Sequence, residues 1–188
     1  MPGLTSKPIR VDNLVELVDV LPTLVDVTQV TGSIKTCRKD GANSKLCTEG
    51  RSLVPLMVSK LRKVVSPPRC ATWAFSLLGT FQKHAARSVF TQYPRPGQFP
   101  TLRPNSDEPK LRDIKIMGYS IRTPSHRYTE WVGFNTTSFK PNWDNVYDRE
   151  LYDNSLDPGE NLNLASRSDL KPLMKVLRKK LILGWRYA

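Results

Sequence analysis

DIKIMGYSIRTPSHRYTEWVGF, Asp113 to Phe134, is the stretch around which the chain is organised. Two alternating runs flank a turn at Arg122 to Arg127. Ile114 and Ile116 fall on one face with Gly118, while Met117, Tyr119 and Ile121 fall on the other. Tyr128, Val132 and Phe134 carry the alternation along the return run. Period-2 patterning, β-branched and aromatic residues and a Pro-Ser turn together predict a β-hairpin. Both faces carry apolar residues, so the hairpin is expected to be covered on each side, with the rest of the chain packed around it.

The chain has 188 residues, enough for one domain or a small domain with a tail. Hydrophobic residues make up 39%, which allows a core with little to spare. Fifteen prolines argue against long uninterrupted helices in the middle. No run approaches the ~20 apolar residues of a membrane span. The opening MPGLTSK lacks the apolar core of a signal peptide, so either the protein is intracellular or its true beginning is missing. The net charge is +12, with 29 Lys and Arg against 17 acidic residues. That balance favours polyanions such as nucleic acid, anionic lipid or sulfated polysaccharide, without choosing among them. A solvated surface with basic tails fits the charge equally well.

Along the chain, Val18, Leu21, Leu24, Val25 and Thr28 have helical spacing, which predicts a core-facing helix starting near Asp19. Pro22 fits its first turn and Gly32 its end. Cys37 and Cys47 enclose a polar, turn-forming interval; the spacing allows a small disulfide loop or two free thiols. No nearby His or second Cys pair completes a zinc set, and Cys70 is left over. Leu53, Leu56, Met57 and Leu61 predict a short helix, Ala71–Ser76 a strand, and Leu77–Phe90 a basic amphipathic helix. Gln92 to Pro109 is proline-rich and predicts an extended loop. Asn135-Thr136-Thr137 is an N-glycosylation sequon. Leu151 and Tyr152 predict a short strand, and Asp157-Pro-Gly-Glu160 a turn. Ser168 can cap a last helix, with Leu170, Leu173 or Met174, Leu177 and Leu181 inward. Lys171, Lys175, Arg178, Lys179 and Lys180 make its other face basic, and Gly184 stops it.

Motifs for chemistry are scarce. The two histidines, His84 and His126, are not in a metal-binding spacing. There is no Gly-rich phosphate loop and no zinc-ribbon, helix-turn-helix or RNA-recognition signature. No local base or orienting acid accompanies a Ser or Cys nucleophile. Composition and spacing alone describe a basic α+β domain.

Several stretches nevertheless resemble the sulfatase family. LVELVDVLPTLVDV at Leu14 to Val27 resembles the segment that follows the catalytic core. QYPRP at Gln92 to Pro96, IKIMGYSIRT at Ile114 to Thr123 and RYTEWVGF at Arg127 to Phe134 resemble the C-terminal subdomain of one branch. ELYDNSLDPGENLNLA, at Glu150 to Ala165, resembles the closing strand and turn of sulfatases generally. The resemblance implies a small antiparallel sheet with a central hairpin and a C-terminal helix, the last part of an alkaline-phosphatase-like fold. It also implies a Cys37–Cys47 disulfide. For the complete protein it implies a lysosomal exosulfatase acting on 2-O-sulfated iduronate in heparan and dermatan sulfate. The nucleophile would be a formylglycine made from Cys in C-x-P-S-R, beside a calcium ion. No C-x-P-S-R and no calcium-ligand motif of the family occurs here.

The expected organisation is therefore a C-terminal fragment. Residues 1–32 would be the tail end of the catalytic domain, and residues 33–188 the C-terminal subdomain. The stretch 77–90 reads as an insertion, because FTQYPRP restarts where AFS stops. The partners implied are the missing N-terminal catalytic domain and a sulfated glycosaminoglycan, with no nucleic acid and no membrane. No catalytic or metal residue is expected in this chain, and no cofactor bound by it. Arg95, Arg122, His126 and Arg127 are substrate-proximal candidates, since arginine suits carboxylate and sulfate. The competing reading has Arg95 and Arg122 in structural ion pairs. A non-catalytic basic module holding sulfated glycans is the alternative function.

Overall fold

The computed structural model describes residues 10–29, 32, 34–37, 46–58, 88–103 and 105–184. The chain divides into two compact units, residues 1–87 and 88–188.

In the first unit a 3-10 turn, Leu17–Asp19, leads into helix α1, Val20–Thr28. Pro22 sits in the first turn, where its missing N–H is harmless. The helix ends on Gln29, left-handed at φ 53°, and not at the expected Gly32. The expected apolar face is also not the buried one: Leu21 and Leu24 are 45% and 53% exposed, whereas Asp19 and Thr23 are buried. Hydrogen bonding explains the reversal. The Asp19 carboxylate accepts the N–H groups of Glu16 at 2.9 Å and Arg51 at 2.8 Å. The Thr23 hydroxyl donates to the Asp19 carbonyl at 2.6 Å and accepts the Leu53 N–H at 2.9 Å. Backbone donors of a loop thus find their acceptors on this helix, which draws the polar side inward. Gly50 makes the approach possible, because a Cβ there would lie 1.9 Å from the Val18 carbonyl oxygen. Strands β1, Lys35–Thr36, and β2, Cys47–Thr48, pair in parallel, and Cys37 is disulfide-bonded to Cys47. Residues 54–58 are helical, as their spacing predicts, with Leu56 buried. Cys70, the strand expected at Ala71–Ser76 and residues 77–87 lie outside the described residues.

The second unit is α+β: a four-stranded antiparallel sheet with a C-terminal helix. Its strands are β3, Val89–Arg95; β4, Ile116–Arg122; β5, His126–Asn135; and β6, Lys140–Asp153, paired in that order. The predicted hairpin is β4–β5, closed by the pair Arg122 and Arg127, with the Thr123 N–H donating to the His126 carbonyl at 2.8 Å. Three elements differ from expectation. Val89 and Phe90 are not helical but open β3. Gln92 to Arg95 are strand and not loop; Pro94 is accommodated because β3 is an edge. The short strand at Leu151 and Tyr152 is the end of a 14-residue strand. Its first half, KPNWDNVYDR, is poor in β-formers, and its pairing with β5 is broken by register shifts around Val132.

Helix α2, Lys171–Leu183, packs on β4 and β5 and ends at Gly184. Its predicted face is borne out: Met174, Leu177 and Leu181 join Ile121, Tyr128 and Leu151 in one core. Ser168 opens a 3-10 turn rather than capping the helix with its side chain. A fully buried carboxylate, Glu130, lies on this same sheet face. It accepts the Tyr128 hydroxyl at 2.5 Å, Arg178 Nε at 2.9 Å and Arg149 Nε at 3.3 Å. Arg178 also donates to the Trp143 carbonyl at 2.6 Å. Arg178 therefore belongs to the interior and not to the basic outer face. Burial, then the Glu130 contact, pushes the Tyr128 phenol well above its ordinary value.

Candidate functional site

The opposite face of the sheet is polar and aromatic. Register places Tyr93, Gly118, Trp131 and Asp148 in one row across the strands, and Thr91, Ser120, Thr129 and Glu150 in the next. Gly118 lets Trp131 lie across the sheet, since a Cβ at Gly118 would be 2.7 Å from the indole ring. Ser120 and Thr129 satisfy each other at 2.9 Å. The second face is thus less apolar at its centre than the alternation suggests.

Three of the four candidate residues meet on this face. Arg95 stacks on the Trp131 ring at 5.2 Å, and Tyr93 meets the same ring edge-on at 6.4 Å. Trp131 Nε1 donates to Glu150 at 2.7 Å. Glu150 lies 3.9 Å from Arg127, whose guanidinium covers Tyr152 at 5.0 Å. Arg127 pairs with Glu160, which also binds Arg122 at 3.3 Å and accepts from Asn154 at 2.6 Å. The result is a continuous chain, Arg95–Trp131–Glu150–Arg127–Glu160–Arg122. It holds three cations against two carboxylates. Among the described residues, Arg127 Nε is buried with no acceptor.

His126 does not join this row. It lies on the α2 side of β5, with Nδ1 2.8 Å from the Ser125 hydroxyl and Nε2 3.9 Å from Asp153. The Asp153 carboxyl is held below its usual range, first by the hydrogen bond from the Ser155 side chain and to a smaller degree by His126. No local pattern marks Glu150, Glu160 and Tyr152 as partners of the arginines. Glu150 was legible as the residue two places before Tyr152 in the strand, whereas Glu160 reaches the arginines only through a turn in which it takes φ 56°. Trp131 is half-buried and links Arg95 to Glu150. Among the described residues, no three His, Cys, Asp or Glu side chains cluster closely enough to hold a metal ion. Asn135 is exposed at the β5–β6 turn, its side-chain oxygen accepting the N–H groups of Thr137 and Ser138 at 2.9 Å each.

This face positions cations on a rigid sheet but supplies no nucleophile with its base. No protein-family model matches the chain, but two curated relatives align with nearly all of it, and they place it with the sulfatases, as a C-terminal segment. Both are iduronate 2-sulfatases. The chain is 36% identical over 167 residues to that of Mus musculus and 37% identical over 165 residues to that of Homo sapiens. These matches cover 89% and 88% of this chain, and the chain spans only 28% and 27% of the relatives. Among solved structures, a 2-O GAG sulfatase is similar at a TM-score of 0.46 and 20% identity, over 86% of this chain and 22% of that one. A protein solved with its substrate D-glucosamine-2-N,6-O-disulfate is similar at 0.43 and 18%, over 88% and 22%. The assignment rests on the sequence matches alone.

Proposed function

We propose that the chain is the C-terminal subdomain of a lysosomal, glycosylated sulfatase that removes 2-O-sulfate from iduronate in heparan and dermatan sulfate. The observation that carries this is the 36–37% identity to iduronate 2-sulfatases along almost the whole chain. In this reading the formylglycine nucleophile and a calcium ion belong to an N-terminal catalytic domain outside these 188 residues, and the whole completes an alkaline-phosphatase-like fold. The described residues do not fit a calcium site, so none of the catalytic steps is assigned to them. Exposed apolar side chains of the first unit, such as Leu17 at 89% and Leu24 at 53%, support a further domain against which they pack. Arg95, Arg122 and Arg127, which share one sheet face, are the substrate-proximal set of this reading; His126, expected with them, lies on the opposite face. Asn135 carries the glycan.

The test is a chimera in which this chain replaces the matching segment of the human relative, expressed in mammalian cells. It is expected to release sulfate from a substrate ending in 2-sulfated iduronate, well above a version lacking the segment. A secreted, folded chimera with no turnover would overturn the reading.

A further inference from the structure

Helix α2 carries five cations, and the structure separates them. Arg178 turns inward to Glu130 and Trp143, whereas Lys171, Lys175, Lys179 and Lys180 are exposed. Among the described residues none of these four lysines has an ion-pair partner; the nearest acidic residue in sequence, Asp169, is engaged by Arg167 at 2.6 Å. From Leu170 to Gly184 there is no Asp or Glu. Lys171, Lys175 and Lys179 recur every four residues and so form one row about 12 Å long on the helix surface. Four uncompensated like charges on one short helix disfavour it in isolation. The helix is held regardless by Met174, Leu177 and Leu181 in the core and by the Arg178–Glu130 bond.

We propose that this outer face of α2 is a docking ledge for a sulfated glycosaminoglycan chain, with Lys171, Lys175 and Lys179 as its row of contacts and Lys180 beside them. A linear row of point charges complements anionic groups spaced along a flexible polymer. Met174, Leu177 and Leu181 are committed to the sheet, and the apolar side chains left exposed on α2 are Val176, Ile182 and Leu183, so a bilayer is an alternative that the vesicle comparison below tests. No aromatic side chain lies on α2 for base stacking, as single-stranded nucleic acid would require. The choice of a sulfated glycan as the polyanion rests on the sulfatase reading; the location of the ledge does not.

The experiment measures binding of the full 188-residue chain to heparin across a salt series. Three variants are compared: the four lysines changed to Gln, the same four changed to Arg, and a control with Arg103, Lys110, Lys115 and Lys140 changed to Gln. The two Gln sets alter net charge equally. The α2 Gln variant is expected to lose about tenfold or more in affinity, with a shallower salt dependence, because fewer counterions are released on binding. The Arg variant should bind like the parent, and the control should lose about threefold at most. Equal losses in both Gln sets would show a net-charge effect and overturn the proposal. So would tighter binding of duplex DNA or of phosphatidylserine vesicles than of heparin at the same salt. Circular dichroism confirms that α2 persists in each variant; if the Gln set unfolds, loss of binding in the folded Arg set overturns the proposal in its place. Sulfate release by the chimera does not enter this readout, so the two readings fail separately.

Discussion

Glu130 is the residue whose removal should tell most about how α2 is held. Its carboxylate is fully buried, while its two cationic partners keep contact with water: Arg178 is 32% exposed and Arg149 47%. The two ways of breaking the contact are therefore unequal. Glu130→Gln leaves an acceptor for the Tyr128 hydroxyl and for Arg178, and the cations can be resolvated, so the cost should be about 1–2 kcal/mol. Arg178→Met strands a carboxylate in the interior with Arg149, at 3.3 Å, as its remaining cation. Removing one partner from a buried pair costs about 3–5 kcal/mol when the survivor cannot reach water. It also removes the bond to the Trp143 carbonyl, worth about 1 kcal/mol. With a urea dependence of about 1.5 kcal/mol/M, Arg178→Met should lower the unfolding midpoint by about 2 M or more, and Glu130→Gln by about 1 M. The Glu130→Met, Arg178→Met double variant should be less damaged than the sum of its single changes. Urea titrations followed by circular dichroism and by tryptophan fluorescence provide the readout; Trp143 sits at the contact and packs against Tyr119 at 5.1 Å. Shifts within about 0.5 kcal/mol of the parent, or a larger loss for Glu130→Gln than for Arg178→Met, would refute the reasoning.

Two further predictions concern the sheet and its closing turn. Gly118→Ala should destabilise the second unit by about 1–3 kcal/mol, because the new Cβ meets an indole fixed by Glu150 and covered by Arg95; urea unfolding measures it, and an unchanged midpoint would mean that Trp131 is free to move. The Asp157 carboxyl is held below its ordinary range, chiefly by the Leu162 N–H at 2.9 Å, so its contribution is present above the usual carboxylate range and lost as pH falls through the depressed value. Asp157→Asn should accordingly weaken the protein at pH 7 and lose that difference as pH falls below the ordinary carboxylate range, in thermal unfolding across pH.

Much of the second unit was legible from sequence. The alternation of Met117, Tyr119, Ile121 and Tyr128 marked the hairpin, because strand geometry turns a period of two directly into faces. Met174, Leu177 and Leu181 marked the inner side of α2 by the same logic at a helical period. Elements governed by pairing were not legible. Gln92 to Arg95 and Lys140 to Arg149 have weak strand character of their own and are extended because β4 and β5 offer them hydrogen-bonding edges. In α1 the leucine side is exposed and the polar side buried within this chain, since the donors of Arg51 and Leu53 find their acceptors on Asp19 and Thr23.

The candidate site divides in the same way. Sequence alone identified three arginines, the family motifs that contain them and a basic last helix, because residue types and short spacings are local properties. Only the tertiary structure decided that Arg95, Arg122 and Arg127 share one sheet face while His126 lies on the other. It also decided that Glu150 and Glu160 are their partners, and that Arg178 faces the core while four lysines face water. Those outcomes depend on strand register and on contacts between residues as far apart as Glu130 and Arg178, which no local pattern encodes.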